Sequence, residues 1–138
     1  MRISKDHISQ YMPHRAPFVM IDNLLTASKE TIESNFYIEA DNVMVDGGFF
    51  QEGGLMENIA QTCAVGFGID ELAENQAPKM GFIGAITKMK MYELPPVGVQ
   101  ITTSVTLITQ LGNISLVKGI NYLDGHKLLE CEMKIVVN

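Results

Sequence analysis

Glu57 and Gln61 stand one helical turn apart in a stretch almost free of other charge, Gly53-Gly54-Leu55-Met56-Glu57-Asn58-Ile59-Ala60-Gln61-Thr62-Cys63-Ala64-Val65-Gly66-Phe67. Leu55, Met56, Ile59, Ala60, Cys63, Ala64 and Phe67 recur there at helical spacing. The two polar side chains therefore share a face. A helix this poor in charge is expected to be buried. A buried carboxylate must be paired, or it stays neutral through a raised pKa. Enzymes obtain general acids and bases near neutral pH in this way, and that is the chemistry Glu57 could do. The plainer alternative is a carboxylate near a helix start, favoured by the macrodipole, or one that reaches solvent through a gap.

The elements that must position this pair can be read from periodicity. Two prolines bracket His14-Arg15 in Met12-Pro13-His14-Arg15-Ala16-Pro17 and predict an ordered turn. Phe18-Val19-Met20-Ile21 follows as a short strand or apolar turn. Residues 31–39 alternate weakly and predict a strand, and residues 41–48 predict a loop turning at Asp46-Gly47-Gly48. The apolar helix is expected over Gly53 to Ala73, with a breaker at Asn75-Gln76-Ala77-Pro78. Four strands should follow, within 80–91, from Ile101, from Ile114 and up to Val137. Asp124-Gly125 is a two-residue hairpin signal that sets the register of the last two. One helix with a long antiparallel sheet wrapped around it gives a single α+β domain over 1–138 with one core.

Composition narrows the function. The chain is 46% apolar and 19% charged, which describes a globular domain. Its net charge is −6 and its basic residues form no run, so nucleic acid is an unexpected partner. Nine Met fit either core filling or an adaptable apolar pocket. Cys63 and Cys131 lie in apolar patterns and read as reduced core residues, and His7, His14 and His126 make no metal motif. The N-terminus lacks a signal-peptide apolar run, and no segment is long enough to span a membrane. A cytoplasmic protein without metal or cofactor is expected.

Three motifs carry a family resemblance across nearly the whole chain. Met12-Pro13-His14-Arg15-Ala16-Pro17-Phe18-Val19-Met20-Ile21-Asp22 resembles the L-P-H-R-x-P-F-L-L-V-D opening of bacterial 3-hydroxyacyl-acyl carrier protein dehydratases. Glu57-Asn58-Ile59-Ala60-Gln61 resembles their E-x-x-A-Q helix motif. Gly81 to Lys90, then Pro96-Val97-Gly98, resembles the strand after the helix and its P-G-D turn. The resemblance implies the hotdog fold and the chemistry of fatty-acid biosynthesis. It further implies a dimer with active sites at the subunit interface. There a histidine in a G-H-F-P loop of one subunit faces a helix carboxylate of the other. The acyl chain would lie in an apolar tunnel, with its thioester near the helix N-terminus. That assigns the acid/base role to Glu57 and its orientation to Gln61. Gly53 and Gly54 would admit the thioester carbonyl, and Phe49 and Phe50 either line the tunnel mouth or pack under the helix.

One part of the pattern is missing. No histidine lies between Phe36 and Glu57, and ungapped counting puts Val43 near the expected place. Dehydration removes a proton from C2 and expels the C3 hydroxyl, so it needs a base and an acid on one bound substrate. Asp41, Asp46 or Glu52 could pair with Glu57 as a second carboxylate, although loop solubility and turn chemistry explain the two aspartates equally. His14, matched by a histidine of the opening motif, reads as holding its loop through a ring N–H, beside the substrate. A partner of the same fold could supply the histidine instead. Three readings follow: a dehydratase with an altered site, a non-catalytic acyl-binding subunit of a heteromer, or an acyl thioesterase. The expected partners are an acyl thioester on acyl carrier protein or coenzyme A, and a second chain as homodimer or heterodimer. An acidic carrier would need a basic patch, for which Arg15, Lys79, Lys88 and Lys90 are the candidates.

Overall fold

The computed structural model describes residues 2–77 and 81–137. A short 3-10 turn at Ile8–Gln10 precedes strands β1 (Asn23–Ala27) and β2 (Thr31–Tyr37). A small hairpin, β3 (Val45–Asp46) and β4 (Phe49–Phe50), leads into the single helix α1 (Glu52–Ala73). Four long strands follow: β5 (Gly81–Met91), β6 (Gln100–Leu111), β7 (Ile114–Leu123) and β8 (His126–Val137). The main sheet has the order β1-β2-β6-β7-β8-β5, with every pair antiparallel. It wraps α1, as expected of the hotdog fold.

Alternation builds the sheet. Along β7, Ser115, Val117, Gly119 and Asn121 point inward while their neighbours are more exposed. Asp124 and Gly125 both take positive φ, 49° and 80°, as a type I′ turn requires, and set Leu123 opposite His126. Gly119 is open because Ile59 of the helix lies against its Cα, where a Cβ would collide. The core gathers Phe36, Phe50, Leu55, Ile59, Val105 and Met133 between helix and sheet. A second cluster, with Ile3, Ile8, Met12, Ile21, Leu24 and Val65, docks the N-terminal segment on the other flank of α1.

The helix begins at Glu52, whose charge suits the N-terminal dipole. Its cap, Gln51, makes no side-chain cap bond; its amide donates instead to the Asp46 and Phe49 carbonyls at 3.0 Å each, bracing the β3–β4 hairpin. The helix ends with Asn75 in the left-handed region (φ 60°), and the Gln76 N–H bonds the Glu71 carbonyl at 2.8 Å.

Two features differ from what the sequence predicts. Strand β1 went unread because Leu24-Leu25 breaks the alternation. The 41–48 loop carries half of a hairpin, turned by Gly47 (φ 60°) and Gly48 (φ 82°). Of the two forms expected for residues 18–21, a short strand or an apolar turn, the structure has the turn. Pro78, Lys79 and Met80 lie outside the described residues.

Candidate active site

Gln61 is the clamp of the site. Its Oε1 accepts the Met20 N–H at 2.6 Å, and its Nε2 donates to the Phe18 carbonyl at 2.7 Å and to Glu57 Oε1 at 3.0 Å. One turn earlier, Asn58 Nδ2 donates to the Met20 carbonyl at 2.6 Å. These bonds fasten the Phe18–Met20 turn to α1, and the preceding turn comes with it. Arg15 holds that turn by donating to the Met12 and His14 carbonyls at 2.8 and 2.7 Å. His14 thereby arrives with Nε2 3.7 Å from Glu57 Oε1.

This corrects the structural reading of His14. Its Nδ1 is buried without a hydrogen-bond partner among the described residues, so the ring tethers no loop through that atom and instead faces Glu57. Glu57 is also not the buried carboxylate expected: its side chain is 36% exposed, against 19% for His14. Glu57 lies on the flank of the helix that faces His14, β5 and the end of β8 across an open slot. Burial holds the His14 imidazole below its usual pKa; the Glu57 carboxylate pulls the other way, and Arg15 adds to the lowering. The ring is thus neutral at pH 7 and able to accept a proton. A histidine whose folded-state pKa is depressed contributes stability above its unfolded pKa and loses it as pH falls. His14→Gln should therefore remove the part of the acid destabilisation that begins near pH 6.5. Melting temperatures of both proteins across that limb check this; parallel curves would refute it.

Beside the pair opens an apolar slot of about 180 Å³. Glu57, Ala60, Ala64 and Phe67 form its helix wall, Gly81, Phe82 and Ile83 of β5 and Ile135 and Val137 of β8 the other, with His14 at the rim. Spacing of three and four puts the four helix residues on one face, and two alanines leave the space. Ala60 and Ala64, small residues one turn apart beside Glu57, are the sequence signal of this slot.

The other expected site residues fall elsewhere. Phe50 is fully buried in the core, tilted against Phe36 at 5.7 Å, so it packs under the helix and lines nothing. Phe49 is 46% exposed and outside the slot. The Gly54 N–H is taken by the Gln51 carbonyl at 3.0 Å, and a Cβ there would strike the Phe50 ring, so Gly54 serves packing. Gly53 keeps an N–H without a partner among the described residues, though Met44 lies over its Cα. Asp41, Asp46 and Glu52 make no contact with Glu57, whose described partners are His14 and Gln61. Of the basic candidates, Lys88 pairs with Glu132 at 3.3 Å and shares a hollow with Lys90 and Lys118, Arg15 is spent on its own turn, and Lys79 lies outside the described residues. Among the described residues, no group of three His, Cys, Asp or Glu could hold a metal, and no helix is long and apolar enough to cross a membrane.

Known proteins resemble the chain over this whole frame. A 3-hydroxyacyl-[acyl-carrier-protein] dehydratase FabZ of Oceanobacillus iheyensis is 28% identical over 96% of this chain and 96% of its own length. A FabZ of Streptococcus pneumoniae is 30% identical over 86% of each. Among solved structures, the Dehydratase Heterocomplex ApeI:P from Xenorhabdus doucetiae contains a chain that superposes with a TM-score of 0.88. That match covers 95% of this chain and 90% of the other at 16% identity, a likeness of fold. Residues 6–136, from just before the His14 turn to the end of β8, match the family described as ApeP dehydratase, and the chain belongs to that ApeP-like dehydratase family.

Proposed function

We propose that this chain acts on a 3-hydroxyacyl thioester of an acyl carrier protein, with Glu57 as a proton-transfer group in the loss of water. The observation that carries the reading is Glu57 itself, oriented by Gln61 at the mouth of an apolar slot. A base takes the C2 proton; the C2–H pair forms the C2–C3 double bond; the C3–O bond breaks and the hydroxyl leaves as water with a proton from the acid. The thioester carbonyl, gaining negative charge as C2 loses its proton, takes the free Gly53 N–H at the positive end of α1. Gln61 bonds Glu57 at 3.0 Å, and His14 stands 3.7 Å from it.

We assign the second proton-transfer group to a partner chain of the same fold. Val43 stands where the resemblance places the loop histidine. Strand β5 is an edge of the sheet, with Phe82 and Ile83 exposed on it, which suits coverage by a second subunit. That the Xenorhabdus doucetiae chain belongs to a dehydratase heterocomplex supports a mixed dimer over two copies of this chain. Cytoplasmic residence fits a carrier-protein substrate.

The test is turnover of a 3-hydroxyacyl carrier thioester, read by product mass. The chain is assayed alone and mixed with a dehydratase of the same cell that has a G-H-F-P loop but a Gln in place of its own helix carboxylate. Loss of water by the mixture alone supports a shared site. Loss of water by this chain alone removes the partner's histidine from the scheme. Release of the acyl group instead would make it a thioesterase.

A further inference from the structure

Three cavities meet at one side chain, Phe67. It lines the Glu57 slot together with Val137. It also forms part of the wall of a larger cavity of about 320 Å³, on the β6 side of the C-terminal half of α1. Apolar groups, among them Ile32, Cys63, Val105, Leu107 and Val117, line that second cavity, while Lys29, Glu30 and Asp70 rim it. A third, shallower hollow borders Phe67 beside Gln110 and Asn113. Phe67 is half-buried and packs against the margin of the main core.

We propose that Phe67 is the specificity-determining end wall of the slot, setting the longest acyl chain that fits and separating it from the second cavity. This deepens the acyl-thioester reading above and rests on it. Glu57 and Phe67 share a helix face, ten positions apart, which is about 15 Å along the axis. A chain with its reacting carbons at Glu57 therefore extends along Ala60 and Ala64 and meets the ring. The ring is apolar, so a tail that reaches it is dehydrated at both sides and at its end. A longer tail must displace the ring or bend toward solvent. With the ring gone, the slot runs on into the cavity beneath Cys63 and Gly66, where Gly66 leaves the Ile32 side chain to form the floor. The occupant of that cavity is then the distal end of the same acyl chain.

The test is binding of a series of saturated straight-chain acyl-pantetheine thioesters of increasing length, by calorimetry, to wild type, Phe67→Ala and Phe67→Ala with Ala27→Phe. Ala27 lines the second cavity, so a phenyl group there refills it. Wild type should show a length beyond which added carbons gain nothing. Phe67→Ala should move that limit outward, with about tenfold tighter binding for every two further methylenes buried. The double variant should move it back. Cooperative thermal unfolding of each variant shows that it is folded. An unchanged length limit in folded Phe67→Ala overturns the proposal. Binding at no length overturns it together with the acyl reading. A shifted limit without any loss of water from the 3-hydroxy substrates keeps Phe67 in its role and removes the dehydratase alone.

Discussion

Glu57→Gln should lower the rate of water loss by about 10²–10⁴-fold, the usual worth of one positioned acid or base, and leave KM close to its starting value. The substitution keeps the side chain's length and an oxygen for the Gln61 amide to bond, and removes only the ability to carry a proton. Its cost to stability should be small, within about 0.5 kcal/mol, because the side chain is 36% exposed and sits in no closed cavity. Glu52→Gln is the matched control. That carboxylate is exposed in the first turn of the same helix and makes no contact with the pair, so its loss changes the same net charge without touching the chemistry. The measurement is kcat and KM, separately, in whichever assembly turns over the thioester. Equal kcat for wild type and Glu57→Gln would take the carboxylate out of the reaction; an equal fall in both variants would trace the effect to helix charge.

The sequence disclosed this site in part, and the division has a physical cause. Glu57 and Gln61 were legible because four-residue spacing within one helix is local information. The long strands were legible because an amphipathic sheet writes a period of two, and Asp124-Gly125 can serve few purposes other than a tight turn. His14 beside Glu57 was not legible. The two meet because Gln61 and Asn58 bind the backbone of Phe18 and Met20, and backbone acceptors leave no trace in a sequence. Glu57 was read as buried because the helix lacks charge. The apolar residues on its flank instead line a slot and face edge strand β5, so apolar composition there marks a space for a ligand or a partner as much as a core. Phe49-Phe50 shows the same limit at shorter range: in a two-residue strand, adjacent identical side chains take opposite fates, one exposed and one at the centre of the core.

Asn58→Ala should destabilise the protein by about 3–5 kcal/mol, because it strands several buried groups at about 1–3 kcal/mol each. The Asn58 side chain is fully buried. Its Nδ2 serves the Met20 carbonyl, and its Oδ1 accepts from the Thr103 hydroxyl and from Asn121 Nδ2 at 3.0 Å. Asn121 Nδ2 also reaches the Leu55 carbonyl at 3.3 Å and Thr103 Oγ1 at 3.0 Å. Truncation leaves the Met20 carbonyl and the Thr103 hydroxyl without their present bonds and strips Asn121 of one acceptor. Thr103→Val is the comparison: it removes the donor to Asn58 and one acceptor of Asn121, while Asn58 keeps Asn121 and Met20 and Asn121 keeps Asn58 and Leu55, so it should cost less, about 1–2 kcal/mol. Urea midpoints at constant m-value give the ranking, and an Asn58→Ala midpoint equal to that of wild type would refute it. A nonpolar core offers α1 many near-equivalent rotations over the sheet, since apolar contacts are not directional. An amide bonded at once to β6, β7 and the Met20 turn accepts only one. The same side chain that fixes the helix over the sheet also holds the turn through which His14 reaches Glu57. Asn58→Ala should therefore lower kcat even at temperatures where the variant remains fully folded, which a purely global loss of stability would not do.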